Sequence, residues 1–126
     1  MKRVALMFAG QGAQTVGMGA DLYKQSDAAR AVFEQADALL QRPISGICFE
    51  GPQETLTESR TCQPAIYATS VACLSALRER VSFEVCAAGG LSLGEFGALT
   101  AVGTLGFEQG IALVAKRGEL MQEACR

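Results

Sequence analysis

Val85-Cys86-Ala87-Ala88-Gly89-Gly90-Leu91-Ser92-Leu93-Gly94 decides the fold of this chain. A short apolar run passes through paired glycines to a serine, and Glu95 to Val102 then read as a helix. A strand that feeds a helix through so tight a turn belongs to the α/β class. Gly90 to Gly94 has the form G-x-S-x-G, in which small residues on both sides let the chain bend and lift the serine onto the helix start. Unpaired N–H groups and the positive end of the helix dipole collect there. Ser92 is therefore a candidate nucleophile and the Leu93 N–H a candidate oxyanion donor. The bland alternative is a serine that caps the helix behind structural glycines. A nucleophilic serine needs a base, most often histidine, and this chain has no histidine.

Working outward, Val4 to Ala9 is an apolar run ending at glycine, which predicts a buried parallel strand. Gly10-Gln11-Gly12-Ala13-Gln14 follows as a loop. If the two strands are neighbours, the Gln11 N–H would approach Ser92 as a second oxyanion donor. The alternative is a glycine-rich turn with a surface glutamine. A phosphate loop does not fit, because neither G-x-G-x-x-G nor a following G-K-S/T is met. Ser26 to Leu40 places Ala29, Val32, Phe33, Ala36, Leu39 and Leu40 at helical spacing, with Ser26 or Asp27 as N-cap and Pro43 beyond the end. Pro43 to Gly51 predicts only a weak helical turn. Pro64 suits a first helical position, so a helix is expected from Pro64 to about Arg80, buried on most of its surface. Gly103 ends the helix after Ser92, and Phe107 to Cys125 read as a last helix. Two strands do not make a stable sheet in water, so further strands are expected elsewhere.

Bulk properties narrow the class. The 126 residues fit one domain or part of a larger one. The 49% hydrophobic content suggests apolar faces that expect a partner segment. Net charge is −2 with no Lys/Arg block, which argues against nucleic acid. No stretch approaches the ~18 apolar residues of a membrane span. The apolar start is too short for a signal peptide, so the cytoplasm is the default. Five cysteines, widely spaced and without C-x-x-C, are expected as buried free thiols, and without histidine no metal site is expected.

Arg117 has Leu113, Val114, Leu120 and Met121 as its helical neighbours, which places it on an apolar face. A buried guanidinium needs an acceptor. That acceptor would be an internal carboxylate, or a carboxylate on a substrate held by parallel N–H···O bonds. Gln63 reads as a capping residue ahead of a helix. Glu95 reads as a complement to the helix dipole, and Ser70 is a fainter candidate.

Four blocks taken together carry a family resemblance: Phe8-Ala9-Gly10-Gln11-Gly12-Ala13-Gln14, Thr61-Cys62-Gln63-Pro64-Ala65, Gly90-Leu91-Ser92-Leu93-Gly94-Glu95-Phe96 and Arg117-Gly118-Glu119-Leu120-Met121-Gln122. The chain resembles the malonyl-CoA:acyl carrier protein transacylases and the related acyltransferase domains of polyketide synthases. The resemblance implies that residues 1–126 are the N-terminal part of an α/β-hydrolase-like large subdomain with parallel strands and flanking helices. The remaining strands, a ferredoxin-like small subdomain and the catalytic histidine would lie outside the chain, in the missing C-terminal part of the same protein. It implies that Ser92 carries the malonyl group as an ester between coenzyme A and the phosphopantetheine thiol of acyl carrier protein, in fatty acid or polyketide biosynthesis. Gln11 and Leu93 would form the oxyanion hole, Arg117 would bind the malonyl carboxylate, and Gln63 would lie near the same pocket. The coenzyme A thioester is then a substrate, and no cofactor is permanently bound. Leu91 stands where the family usually has histidine, although some members also carry leucine. The rival expectations are a serine acyl hydrolase of broader specificity and a non-catalytic module that binds carrier protein.

Overall fold

The computed structural model describes residues 1–125. Its elements run β1 (Lys2–Phe8), α1 (Ala20–Gln25), α2 (Asp27–Leu40), α3 (Ile44–Glu50), α4 (Gln53–Thr57), α5 (Ser59–Arg80), β2 (Phe83–Gly90), α6 (Gly94–Ala101) and α7 (Phe107–Ala124). The expected α/β class with parallel strands and flanking helices is what forms. β1 and β2 pair in parallel from Lys2↔Phe83 to Phe8↔Gly90. The register shifts between Val4 and Ala5, where Cys86 is the extra residue on β2. Parallel strands need a crossover, and α1 to α5 provide it.

The strands are not buried as their composition predicts. Phe8 turns its ring towards Gly97 of α6, and α6 packs on both strands. The opposite face, with Ala5, Met7 and Ala87, is open, and Met7 is 94% exposed. An apolar parallel strand is buried only when both faces of its sheet are covered. Among the described residues only one face is.

α5 is the centre of the molecule. Every residue from Thr61 to Ala68 is buried, and the helix packs against α2, α6 and α7. The main core joins Ile66, Tyr67 and Val71 of α5 to Ala36 of α2, Leu93, and Ile111 and Val114 of α7. A second cluster sets Phe33 against Ala72 and Ala76, and a third gathers Ile44, Cys48, Leu56 and Ala65. Complete burial of a side chain such as Phe33 or Ile44 contributes about 1.5–3 kcal/mol. Ser26 does cap α2. Its hydroxyl accepts from Ala29 N at 3.0 Å and donates to the Glu79 carboxylate. Leu39 lies off the buried stripe and is partly exposed.

Three expectations need correction. Pro43 to Gly51 holds the two-turn helix α3, because Ile44 and Cys48 one turn apart both reach the third cluster. α5 begins at Ser59 rather than Pro64, so neither Pro64 nor Gln63 marks its start. Pro64 has no N–H for the Arg60 carbonyl one turn back, and Arg42 Nη1 donates to that oxygen instead at 3.0 Å. The cysteines are free as expected, but only Cys48 and Cys62 are buried, whereas Cys73, Cys86 and Cys125 are exposed. Among the described residues no helix is long and apolar enough to cross a membrane.

Candidate active site

β2 ends at Gly90, paired with Phe8 of β1, and the chain turns through Leu91, Ser92 and Leu93 into α6. Leu91 O accepts from Gly94 N at 3.0 Å and Ser92 O from Glu95 N at 3.1 Å. A Cβ on Gly90 would lie 2.3 Å from the Gly94 carbonyl carbon. One on Gly94 would lie 2.4 Å from the Phe8 carbonyl oxygen. The elbow closes on itself and on β1 only because both residues are glycine. Ser92 sits at φ 57, the left-handed region that costs a non-glycine residue about 1–2 kcal/mol. Its side chain does not cap α6, whose N-cap is Leu93. Ser92 Oγ instead accepts from Arg117 Nη2 at 2.8 Å.

The loop after β1 lies against this turn. A Cβ on Gly10 would be 2.7 Å from the Leu91 carbonyl oxygen, so the two strands are neighbours as the reading of Gln11 required. Among the described residues, neither the Gln11 N–H nor the Leu93 N–H donates to a protein acceptor. Leu91 is exposed beside the elbow.

Arg117 projects from α7. Its Nη1 donates to Gln63 Oε1 at 2.6 Å, and its guanidinium carbon lies 5.7 Å from the centroid of the Phe96 ring. The ion pairs among the described residues are Arg30–Asp27, Arg60–Glu58 and Lys116–Glu119, so no internal carboxylate neutralises Arg117. The side chain is half-buried rather than core-facing. The buried stripe of α7 is Gly110, Ile111, Val114 and Gly118, while Leu113 and Leu120 face outward.

Gln63 is fully buried on α5, and its Nε2 donates to Gln11 Oε1 at 3.1 Å. Gln11, Gln63, Arg117 and Ser92 therefore form one hydrogen-bonded line. Gln11, Gln63, Ser92, Leu93 and Arg117 meet at one place, at the end of β1 and β2. Sequence reasoning missed Phe96 beneath the guanidinium, Met121 Sδ at 3.0 Å from Gln63 Nε2, and Ser59 Oγ, which accepts from Gln11 Nε2. Phe96 lies one helical turn beyond Ser92, and that spacing was the available signal.

The two buried thiols do not compete with Ser92. Burial pushes the Cys48 thiol up to about 11 and raises that of Cys62 as well. Both stay protonated near neutrality and are poor nucleophiles. Ser70 and Glu95 lie outside the cluster. Ser70 lines an apolar trough of about 290 Å³ beside β1, with Leu6, Cys73 and Leu77. Glu95 lines another of about 360 Å³ beside β2, with Ala98, Leu99 and Val102. Among the described residues no group of metal-ligating side chains gathers.

The family described as acyl transferase domain matches residues 6–125. A malonyl CoA-acyl carrier protein transacylase of Bacillus subtilis (strain 168) is 44% identical over 125 residues, which span 98% of this chain and 39% of that protein. The solved structure of the Streptococcus pneumoniae MCAT is 43% identical, with a TM-score of 0.91, over 98% of this chain and 39% of its own. A further structure shows a type II PKS acyl-carrier protein in complex with its malonyl-transacylase. It is 37% identical, with a TM-score of 0.91, over 98% of this chain and 40% of that one. The chain spans about two fifths of the length of the relatives it matches.

Proposed function

Because the chain belongs to the acyl transferase domain family, we propose that it supplies the nucleophile and substrate clamp of a malonyl transferase. Malonyl would move from a coenzyme A thioester to the phosphopantetheine thiol of an acyl carrier protein, in fatty acid or polyketide synthesis. The observation that carries this reading is the 2.8 Å contact between Ser92 Oγ and an arginine that has no carboxylate partner among the described residues. In a malonyl thioester the carboxylate is one methylene from the carbonyl that reacts. An acid so short requires its cation immediately beside the nucleophile.

The steps follow from these positions. Ser92 Oγ attacks the thioester carbonyl carbon, an ester bond forms, the C–S bond breaks, and coenzyme A leaves as a thiol. The serine proton passes through a base to the departing sulfur. The pantetheine thiol then attacks the ester and reverses the sequence. The N–H groups of Gln11 and Leu93 stabilise the oxyanion in both halves. Arg117 holds the free carboxylate throughout. The base lies in another part of the polypeptide, since these residues include no histidine. Residues 1–126 are then the N-terminal part of the large subdomain of a cytoplasmic enzyme. Its thioester is a substrate, and it keeps no resident cofactor.

Replacing Arg117 tests the reading. In the complete polypeptide that carries this segment, Arg117→Ala should lower kcat/KM for malonyl thioester by about ten- to a hundredfold, the worth of charge-assisted hydrogen bonds. Acetyl transfer should change little. Equal losses for both acyl groups would contradict a carboxylate clamp.

A further inference from the structure

We propose that Gln63 is the positioning residue that holds Arg117 in place without discharging it, and so sets the preference for acyl groups ending in a carboxylate. This rests on the reading of Arg117 as the clamp and adds a residue that never needs to touch substrate.

The amide has one possible orientation. A guanidinium only donates, so Gln63 must face Arg117 with Oε1, at 2.6 Å. Nε2 then points the other way, where it meets two acceptors, Gln11 Oε1 at 3.1 Å and Met121 Sδ at 3.0 Å. Gln63 is 0% exposed, so water cannot substitute for either end. Arg117 is a long side chain, and fixing it carries an entropic cost. That cost is met by three fixed points, Gln63 Oε1, Ser92 Oγ and the Phe96 ring.

The chemistry of the holder matters as much as its position. A glutamate at 63 would have nearly the same shape and would bond Arg117 more strongly. It would also neutralise the guanidinium within a buried pair. A substrate carboxylate would then compete with an internal one. A neutral carbonyl oxygen orients the guanidinium and leaves its positive charge for the ligand. Among the described residues two N–H groups are engaged, and the others remain for a carboxylate. Through Nε2 the same amide ties the clamp to Gln11, whose backbone N–H is the proposed oxyanion donor.

The test is a pair of variants in the complete polypeptide, Gln63→Glu and Gln63→Met, assayed with malonyl-CoA and acetyl-CoA. Gln63→Glu should lower the malonyl-to-acetyl ratio of kcat/KM by on the order of a hundredfold, the effect of losing a charge-assisted pair. Gln63→Met keeps the bulk and removes the acceptor. It should raise KM for malonyl roughly tenfold more than it raises KM for acetyl, any loss of the Gln11 contact being common to both. If Gln63→Glu does not fold, the methionine variant decides alone. An unchanged ratio, or equal loss of both substrates, would overturn the proposal as a merely structural effect. No malonyl preference in the unsubstituted protein would instead remove the clamp reading of Arg117, and this inference with it.

Discussion

Ser92 is held in a strained backbone conformation with its hydroxyl turned to a cation, a state that persists only where the surroundings enforce it. The buried thiols obey a different constraint. Cys48 is buried with its thiol pushed up to about 11, so the folded state favours the protonated form. Its contribution to stability is complete below the ordinary thiol range and fades as pH rises through about 11. At neutral pH a thiol reagent should modify Cys86 and Cys125 rapidly, Cys73 more slowly because desolvation raises its thiol, and spare Cys48 and Cys62, as peptide mass mapping would show. Rapid modification of Cys48 would contradict its burial. At this scale most of the site was legible in the sequence. Ser92, Gln11 and Arg117 stood out because a nucleophile turn, a glycine-framed loop and a cation among apolar neighbours each demand an explanation. Gln63 emerged only through the family resemblance, because a buried glutamine looks ordinary until its partners are known. Phe96 and Met121 escaped notice because apolar side chains beside a site resemble core.

At the scale of elements, the elbow depends on backbone contact rather than on side chains. Gly94→Ala would place a methyl group 2.4 Å from the Phe8 carbonyl, which belongs to a paired strand and cannot retreat. Destabilisation of about 3 kcal/mol or more is expected in chemical denaturation, at or above the top of the usual overpacking range. A variant as stable as the parent would show that the elbow is looser than described. The long amphipathic helices α2 and α7 were legible from periodicity, and β1 and β2 from apolar runs ending in glycine. α1 and α4, of six and five residues, are too short for a periodic signal, and their ends are set by tertiary packing. α5 starts one turn before Pro64, although proline locally favours a helix start. The guanidinium of Arg42, distant in sequence, removes the penalty of proline one turn further in. Local propensity does not register such a partner.

At the scale of the whole molecule, four separated segments converge on one point. The loop after β1, the start of α5, the elbow after β2 and the middle of α7 contribute Gln11, Gln63, Ser92 and Arg117 to one hydrogen-bonded line. The class of the fold was legible, and so was the surplus of apolar surface; which faces stay open was not. Composition predicts covered strands, while Met7 and the troughs beside both strands are open in these two fifths of the relatives' length. The central claim is that this convergence serves acyl transfer through Ser92. Its most direct measurement is intact mass and peptide mapping of the complete polypeptide after brief exposure to malonyl-CoA. The account predicts one malonyl group, located on Ser92 and absent from Ser92→Ala. Malonyl that persists in Ser92→Ala, or that maps to another residue, would contradict it.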